Sequence, residues 1–130
     1  MKNIFLFLCA LSLYADVYEV TQENYSSMVE QSGKPVIVEV YATWCPSCHK
    51  MGPIFENASA RFPNILFARI DCDAEAELAQ RLQVERLPTL LFFLPGHKSP
   101  SLRSVGTLSE SALDGKILHL QKMGISLASP

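Results

Sequence analysis

Two cysteines three residues apart, in the run Trp44-Cys45-Pro46-Ser47-Cys48, are the residues of this chain best suited to chemistry. If they open a helix, that spacing brings both sulfurs to one side of its first turn, close enough to bond with each other. A thiol at a helix start lies against unpaired backbone N–H groups and the positive end of the dipole, and both favour the thiolate. Cys45 is therefore expected to ionise below the free value of about 8.5 and to act as the nucleophile. Cys48, a turn deeper, lacks that help and reads as the resolving thiol. Attack of Cys45 on a substrate disulfide gives a mixed disulfide, which Cys48 then releases by closing a Cys45–Cys48 disulfide. Pro46 suits the first turn, where its missing N–H would have had no partner. Two rival uses of the pair are weaker. A zinc site needs two more ligands at ordered spacing, and only His49, His97, His119 and Cys72 remain. A purely structural disulfide closing so small a loop would constrain the unfolded chain little.

A strand must deliver the pair. Val36-Ile37-Val38-Glu39-Val40-Tyr41-Ala42 is β-branched and almost wholly apolar, as suits a strand buried on both faces. From Pro46 a helix is predicted towards Arg61, with Met51, Ile54, Phe55, Ala58 and Phe62 on one stripe and Pro53 expected to kink it. Upstream, a short strand fits Tyr18 to Val20. Thr21 can then cap a helix carrying Tyr25, Met28 and Val29, ended by Gly33 and Pro35. Downstream, Ile65 to Cys72 reads as a strand, and Asp73 as the cap of a short helix bearing Leu78 and Leu82. Thr89 to Leu94 is another apolar strand, Pro95 to Pro100 a turn, and Leu102 to Val105 a short returning strand. Ser109 caps a last helix with Leu113, Ile117 and Leu120 on one face. The order β-α-β-α-β-α-β-β-α implies an α/β domain, a central mixed sheet of about five strands flanked by four helices.

At Trp44-Cys45-Pro46-Ser47-Cys48 the sequence resembles the thioredoxin family, and the resemblance covers nearly the whole of the single domain expected over residues 16–130. Pro53 lies where the family has its helix-kinking proline, Asp71-Cys72-Asp73 ends a strand with a similar acidic pattern, and Leu87-Pro88-Thr89 matches the cis-proline signature. Val105-Gly106 matches the glycine near the site. The resemblance implies that Pro88 packs in cis across from the disulfide. It also implies that Leu87 offers its backbone to an extended substrate, while Trp44, Thr89 and Gly106 line the surface around Cys45. Read without the resemblance, Pro88 is equally a strand-start proline. The family's buried aspartate is replaced here by Glu39, six residues before Cys45, which is expected to accept the proton of Cys48. The competing reading has Glu39 on a solvent-facing strand edge. Other departures are Tyr41 for tryptophan, Arg69 for a lysine near the acid, and Pro46-Ser47 for Gly-Pro. Cys72 is expected to be a small, inert core residue, and His49 a solvated helix residue.

The first residues are a separate segment. Lys2 supplies one charge, an apolar run follows from Ile4 to Tyr14 broken by Ser12, and Ala15 precedes the first acid, Asp16. That is the layout of a secretory signal cleaved after Ala15. The run is too short for a membrane anchor, which needs about 20 residues, and Leu8 before Cys9 does not suit lipid attachment. Removal of 1–15 takes Lys2 and no acid, and moves the net charge from −2 to −3. With no basic run, nucleic acid is an unsuitable partner. The three remaining cysteines cannot form a full disulfide framework. The expectation is a monomeric, cofactor-free, metal-free thiol–disulfide oxidoreductase outside the cytoplasm, in a bacterial periplasm given no retention signal at Ser129-Pro130. Its partners would be protein thiols and disulfides and a redox partner that recycles the pair. Without the histidine that stabilises the thiolate in strong oxidants, Pro46-Ser47 leans the expectation towards reductase or isomerase. The alternative is a redox-inactive, chaperone-like module that uses the cis-proline groove to bind peptides.

Overall fold

A computed structural model describes residues 16–128. The leader, its cleavage point and Cys9 lie outside those residues. Five strands form one sheet: β1 (Val17–Glu19), β2 (Val36–Tyr41), β3 (Leu66–Asp71), β4 (Thr89–Phe93) and β5 (Leu102–Val105). Their spatial order is β1-β3-β2-β4-β5. The first three are parallel, and β4 and β5 are each antiparallel to the preceding neighbour. Helices α1 (Pro46–Arg61), α2 (Ala76–Arg81) and α3 (Glu110–Ala128) and a π-helical turn (Ser26–Glu30) flank it. The element order is the expected one. None of these helices is long and apolar enough to cross a membrane.

The continuous apolar runs of β2 and β4 take the two central positions, because only there are both faces of a strand covered. Alternation then sorts their side chains into two cores. Val36, Val38, Val40, Leu91 and Phe93 meet Tyr25, Val29, Leu78 and Leu82 from the π-helical turn and α2. Ile37, Phe67, Leu90 and Phe92 meet Met51, Phe55 and Ala58 of α1 and Leu113, Ile117 and Leu120 of α3. Burying each of the larger side chains contributes about 1.5–3 kcal/mol. Phe55 and Phe67 add an edge-to-face contact, ring centroids 5.2 Å apart, that ties α1 to β3. The same alternation puts Glu39 on the face of Ile37, beneath α1.

Two local expectations are corrected. Thr21 does exchange hydrogen bonds with Asn24, its N–H donating to Asn24 Oδ1 at 2.8 Å and its hydroxyl accepting from Asn24 N–H at 3.4 Å. The helix that follows is nonetheless a single wide turn, closed by Gln31 N–H to Ser26 O at 2.9 Å. Ahead of α2, the turn is capped by Asp71 and not by Asp73. Asp71 Oδ1 accepts from the N–H groups of Asp73 and Ala74 at 3.0 and 3.3 Å. Asp73 points the other way, to the site.

Candidate active site

Tyr41 ends β2, and the chain turns at once into α1 with Cys45 N–H bonded to Ala42 O at 3.2 Å. Cys45 is the N-cap of α1, in extended conformation (φ −86°, ψ 113°), and its Sγ accepts from Cys48 N–H at 3.3 Å. The sulfur thus serves as the helix cap in place of a Ser or Asp oxygen. Ser47 Oγ stands 3.3 Å from the same sulfur. Both cysteines are free thiols, each 4% exposed, against Ala42. Their electrostatics differ in sign. Burial opposes the Cys45 thiolate, but hydrogen bonds from the Cys48 thiol, the Ser47 hydroxyl and the backbone N–H groups of Cys48 and Ser47 outweigh it, so its pKa lies below the usual thiol value. Burial pushes the Cys48 thiol up to about 12, helped by its bond to Cys45 and by the charges of Cys45 and Glu39. One sulfur is poised to attack and the other holds its proton.

Glu39 lies behind the pair. It is 1% exposed, which removes the reading that it faces solvent. Arg69, its register partner on β3, donates from Nε to Glu39 Oε1 at 3.3 Å. The other carboxylate oxygen, Oε2, has no hydrogen-bond partner among the described residues. Burial raises the Glu39 pKa to about 7, and the Arg69 charge offsets part of that rise. A cavity of about 260 Å³ joins Glu39 and Cys48, with Tyr41, Gly52, Glu56, His49 and Arg69 also in its walls. It is open and large enough to admit water, the natural partner for Oε2.

On the other side of the sulfurs, the Leu87–Pro88 peptide bond is cis. Gly106 N–H donates to Pro88 O at 2.8 Å, which sets the turn after β5 beside the proline, and Gly106 takes φ +92°, a conformation suited to glycine. Ser47 Oγ also reaches Leu87 O, at 3.4 Å. Trp44 is 66% exposed beside Cys45, its Nε1–H donating to Asp73 Oδ2 at 2.7 Å.

Against known proteins, the thioredoxin family profile matches residues 16–118. The chain belongs to the thioredoxin family. It is 36% identical over 96 residues to thioredoxin of Mycobacterium tuberculosis, covering 73% of this chain and 81% of that protein. With thioredoxin of Borreliella burgdorferi it shares 35% identity over 112 residues, 83% of this chain and 94% of the other. Among solved structures, Malassezia sympodialis thioredoxin superposes with a TM-score of 0.71 at 27% identity, covering 81% of this chain and 90% of its own. The Cys45–Cys48 pair is accordingly that of a thioredoxin-family thiol–disulfide oxidoreductase.

Set on this thioredoxin fold, the expected site residues fall into three groups. Cys45, Cys48 and Glu39 converge. Leu87 packs against the cysteine pair, Pro88 follows it and is bonded to Gly106, and exposed Trp44 precedes Cys45. Thr89 does not join their surface: it is 1% exposed, and its hydroxyl donates to Arg86 O, bracing the cis-proline loop from inside. Cys72 is corrected in part. It stands just past β3, half-buried, at the border between the sheet core and the Ala42-Cys45-Cys48 cluster, and packs against both. Burial first, then Asp73 and Asp71, push its thiol pKa up, so it stays protonated beside the reactive pair. Among the described residues no group of three or more His, Cys, Asp or Glu is placed to hold a metal ion.

Sequence reasoning missed three contributors. Ser47 touches the nucleophile, and its position inside the CxxC run was the available signal. Asp73 fixes Trp44. Thr107 donates from its hydroxyl to Ser47 O at 3.2 Å, tying the Gly106 turn to the first turn of α1. Only the fold brings Thr107 there.

Proposed function

We propose that the protein reduces or isomerises disulfides in other proteins, with Cys45 as nucleophile, Cys48 as resolving thiol and Glu39 as the acceptor of the Cys48 proton. The observation that carries this is the opposed displacement of the two thiols: Cys45 below its usual value, Cys48 raised to about 12. A stable resolving thiol needs a base at the moment of release, and Glu39 is the buried carboxylate in the cavity that Cys48 lines. Substrate backbone would lie along Leu87 and cis-Pro88, with Trp44 and Gly106 at either side. Recycling of the pair calls for a separate reductant. Residues 1–15 would be removed on export to a periplasm; the family match begins at Asp16 and leaves that apolar leader outside it.

The test is trapping. Cys48→Ser should accumulate mixed disulfides with substrate, while Cys45→Ser should neither trap nor turn over, because only Cys45 is activated. Equal trapping by both variants would refute the division of roles. Reduction of insulin alongside repair of a scrambled disulfide substrate separates reductase from isomerase. A pair that does not cycle against glutathione would leave a peptide-binding module.

A further inference from the structure

The cavity beside Cys48 has a charged mouth that thiol exchange does not itself require. Arg69 crosses it from β3 and is shared between two carboxylates at different depths. Its Nε bonds buried Glu39 Oε1 at 3.3 Å, while its Nη2 lies 3.3 Å from Oε1 of Glu56 on the outer side of α1. Nη2 also donates to Gly52 O at 3.4 Å. A guanidinium can engage a carboxylate with two parallel N–H groups. Here the outer arm is turned to Glu56 and Gly52, Glu39 receives a single bond, and its Oε2 is left without a hydrogen-bond partner among the described residues, in the wall it shares with Cys48.

We propose that Glu56 is a positioning residue for the resolving step: it holds the outer arm of Arg69 at the cavity mouth and so keeps Glu39 Oε2 free to take the proton of Cys48. The inference rests on Glu39 being that acceptor. In the step, the Cys48 S–H proton passes to Glu39 Oε2, and the sulfur's electron pair forms the bond to Cys45 Sγ. The bond from Cys45 to the substrate sulfur breaks, and the substrate leaves as a thiolate. Glu39 later returns its proton to water. The charged and titratable groups facing Glu39 are Arg69 on β3, Glu19 on β1, Cys48, His49 and Glu56 on α1, and Tyr41 on its own strand; β4 presents Leu90. Of these, Arg69 cannot switch its charge. Glu56 is what divides it.

Without the Glu56 charge, both arms of Arg69 can close on Glu39. That makes Glu39 a weaker base, ionised at lower pH, with its second oxygen occupied. The experiment is single-turnover release of a labelled peptide from its mixed disulfide with Cys45, measured from pH 5 to 9. Wild type is compared with Glu56→Gln, Glu56→Asp and Glu39→Gln. Glu56 is exposed, so its replacement leaves the fold intact. In Glu56→Gln the midpoint of the release profile should move down by roughly 0.3–0.7 of a pH unit, and the plateau should slow about 2–5-fold. Glu56→Asp should restore most of both, and initial attack by Cys45 should be unchanged. If Glu39→Gln abolishes the pH-dependent limb while Glu56→Gln leaves midpoint and plateau alone, the role of Glu56 is refuted and that of Glu39 stands. If the limb survives in Glu39→Gln, both fall together.

Discussion

A carboxyl group that burial holds near pH 7 makes folding itself depend on pH. The unfolded Glu39 side chain ionises near 4.5 and the folded one at about 7. Between those values the native state keeps a proton that the unfolded chain has lost. Stability therefore falls as pH rises through this window, and the loss is complete above it. Its full size is on the order of 3 kcal/mol. Glu39→Gln should remove that limb, so urea unfolding should show the variant gaining more over wild type at pH 8 than at pH 5. In the same variant, stopped-flow kinetics should show slow release of the mixed disulfide with little change in the first attack. Equal stability differences at both pH values would mean that Glu39 is ionised normally. Ser47 makes a smaller, separate contribution at this scale. Its hydroxyl lies 3.3 Å from Cys45 Sγ, and Ser47→Ala should raise the thiolate pKa, which iodoacetamide alkylation against pH would read.

Helix α1 carries the chemistry at one end and its anchorage along one stripe. Met51, Phe55 and Ala58 are fully buried on the face that carries the helix across Ile37 and Phe67. Phe55→Ala should cost about 3–5 kcal/mol in unfolding free energy. It should leave Cys45 alkylation at neutral pH nearly unchanged, because the bonds that stabilise the thiolate lie in the first turn, two turns away. How far such elements are legible in a sequence follows from what specifies them. β2 and β4 are continuous apolar runs, and β5 begins and ends at the expected residues, Leu102 and Val105. Cys45, Cys48 and Glu39 were readable because each breaks a rule of its surroundings: paired thiols at a helix start, an acid in an apolar strand. The cap of α2 was not readable. Asp71 and Asp73 are equivalent locally, and the choice is made by Trp44, which takes Asp73 from across the chain. Cys72 is only half legible for a related reason. It packs against the core as expected, but one position past the end of β3 it also meets the cysteine pair, and composition does not locate that end. The resemblance sets Thr89 on the surface with Trp44 and Gly106, but it opens β4, a central strand covered on both faces, so its side chain is buried and turns to Arg86 O.

At the scale of the whole molecule, the edge strand β1 sets how much of the amino terminus the fold needs. Val17, Tyr18 and Glu19 pair in register with Phe67, Ala68 and Arg69, and Val20 N–H continues the ladder to Arg69 O at 2.7 Å. Glu19 also accepts from the Tyr41 hydroxyl at 3.0 Å, at the border of the cavity that holds Glu39. A cut after Ala15 leaves every one of these bonds in place. A cut after Val20 removes the strand, exposes the edge of β3 to water and uncovers part of the core that Val20 closes at 1% exposure. The fragment 16–130 should therefore unfold at the same denaturant midpoint as the full chain and exchange thiols at the same rate. The fragment 21–130 should lose at least about 2 kcal/mol, from the buried valine and the lost pairing together. It should also shift the pH profile of mixed-disulfide release, since Glu19 is one of the charges that raise Glu39. Mass spectrometry of exported protein should find Asp16 at the amino terminus. A mature chain beginning at Met1 would overturn the export assignment, and one beginning beyond Val17 would contradict the need for β1.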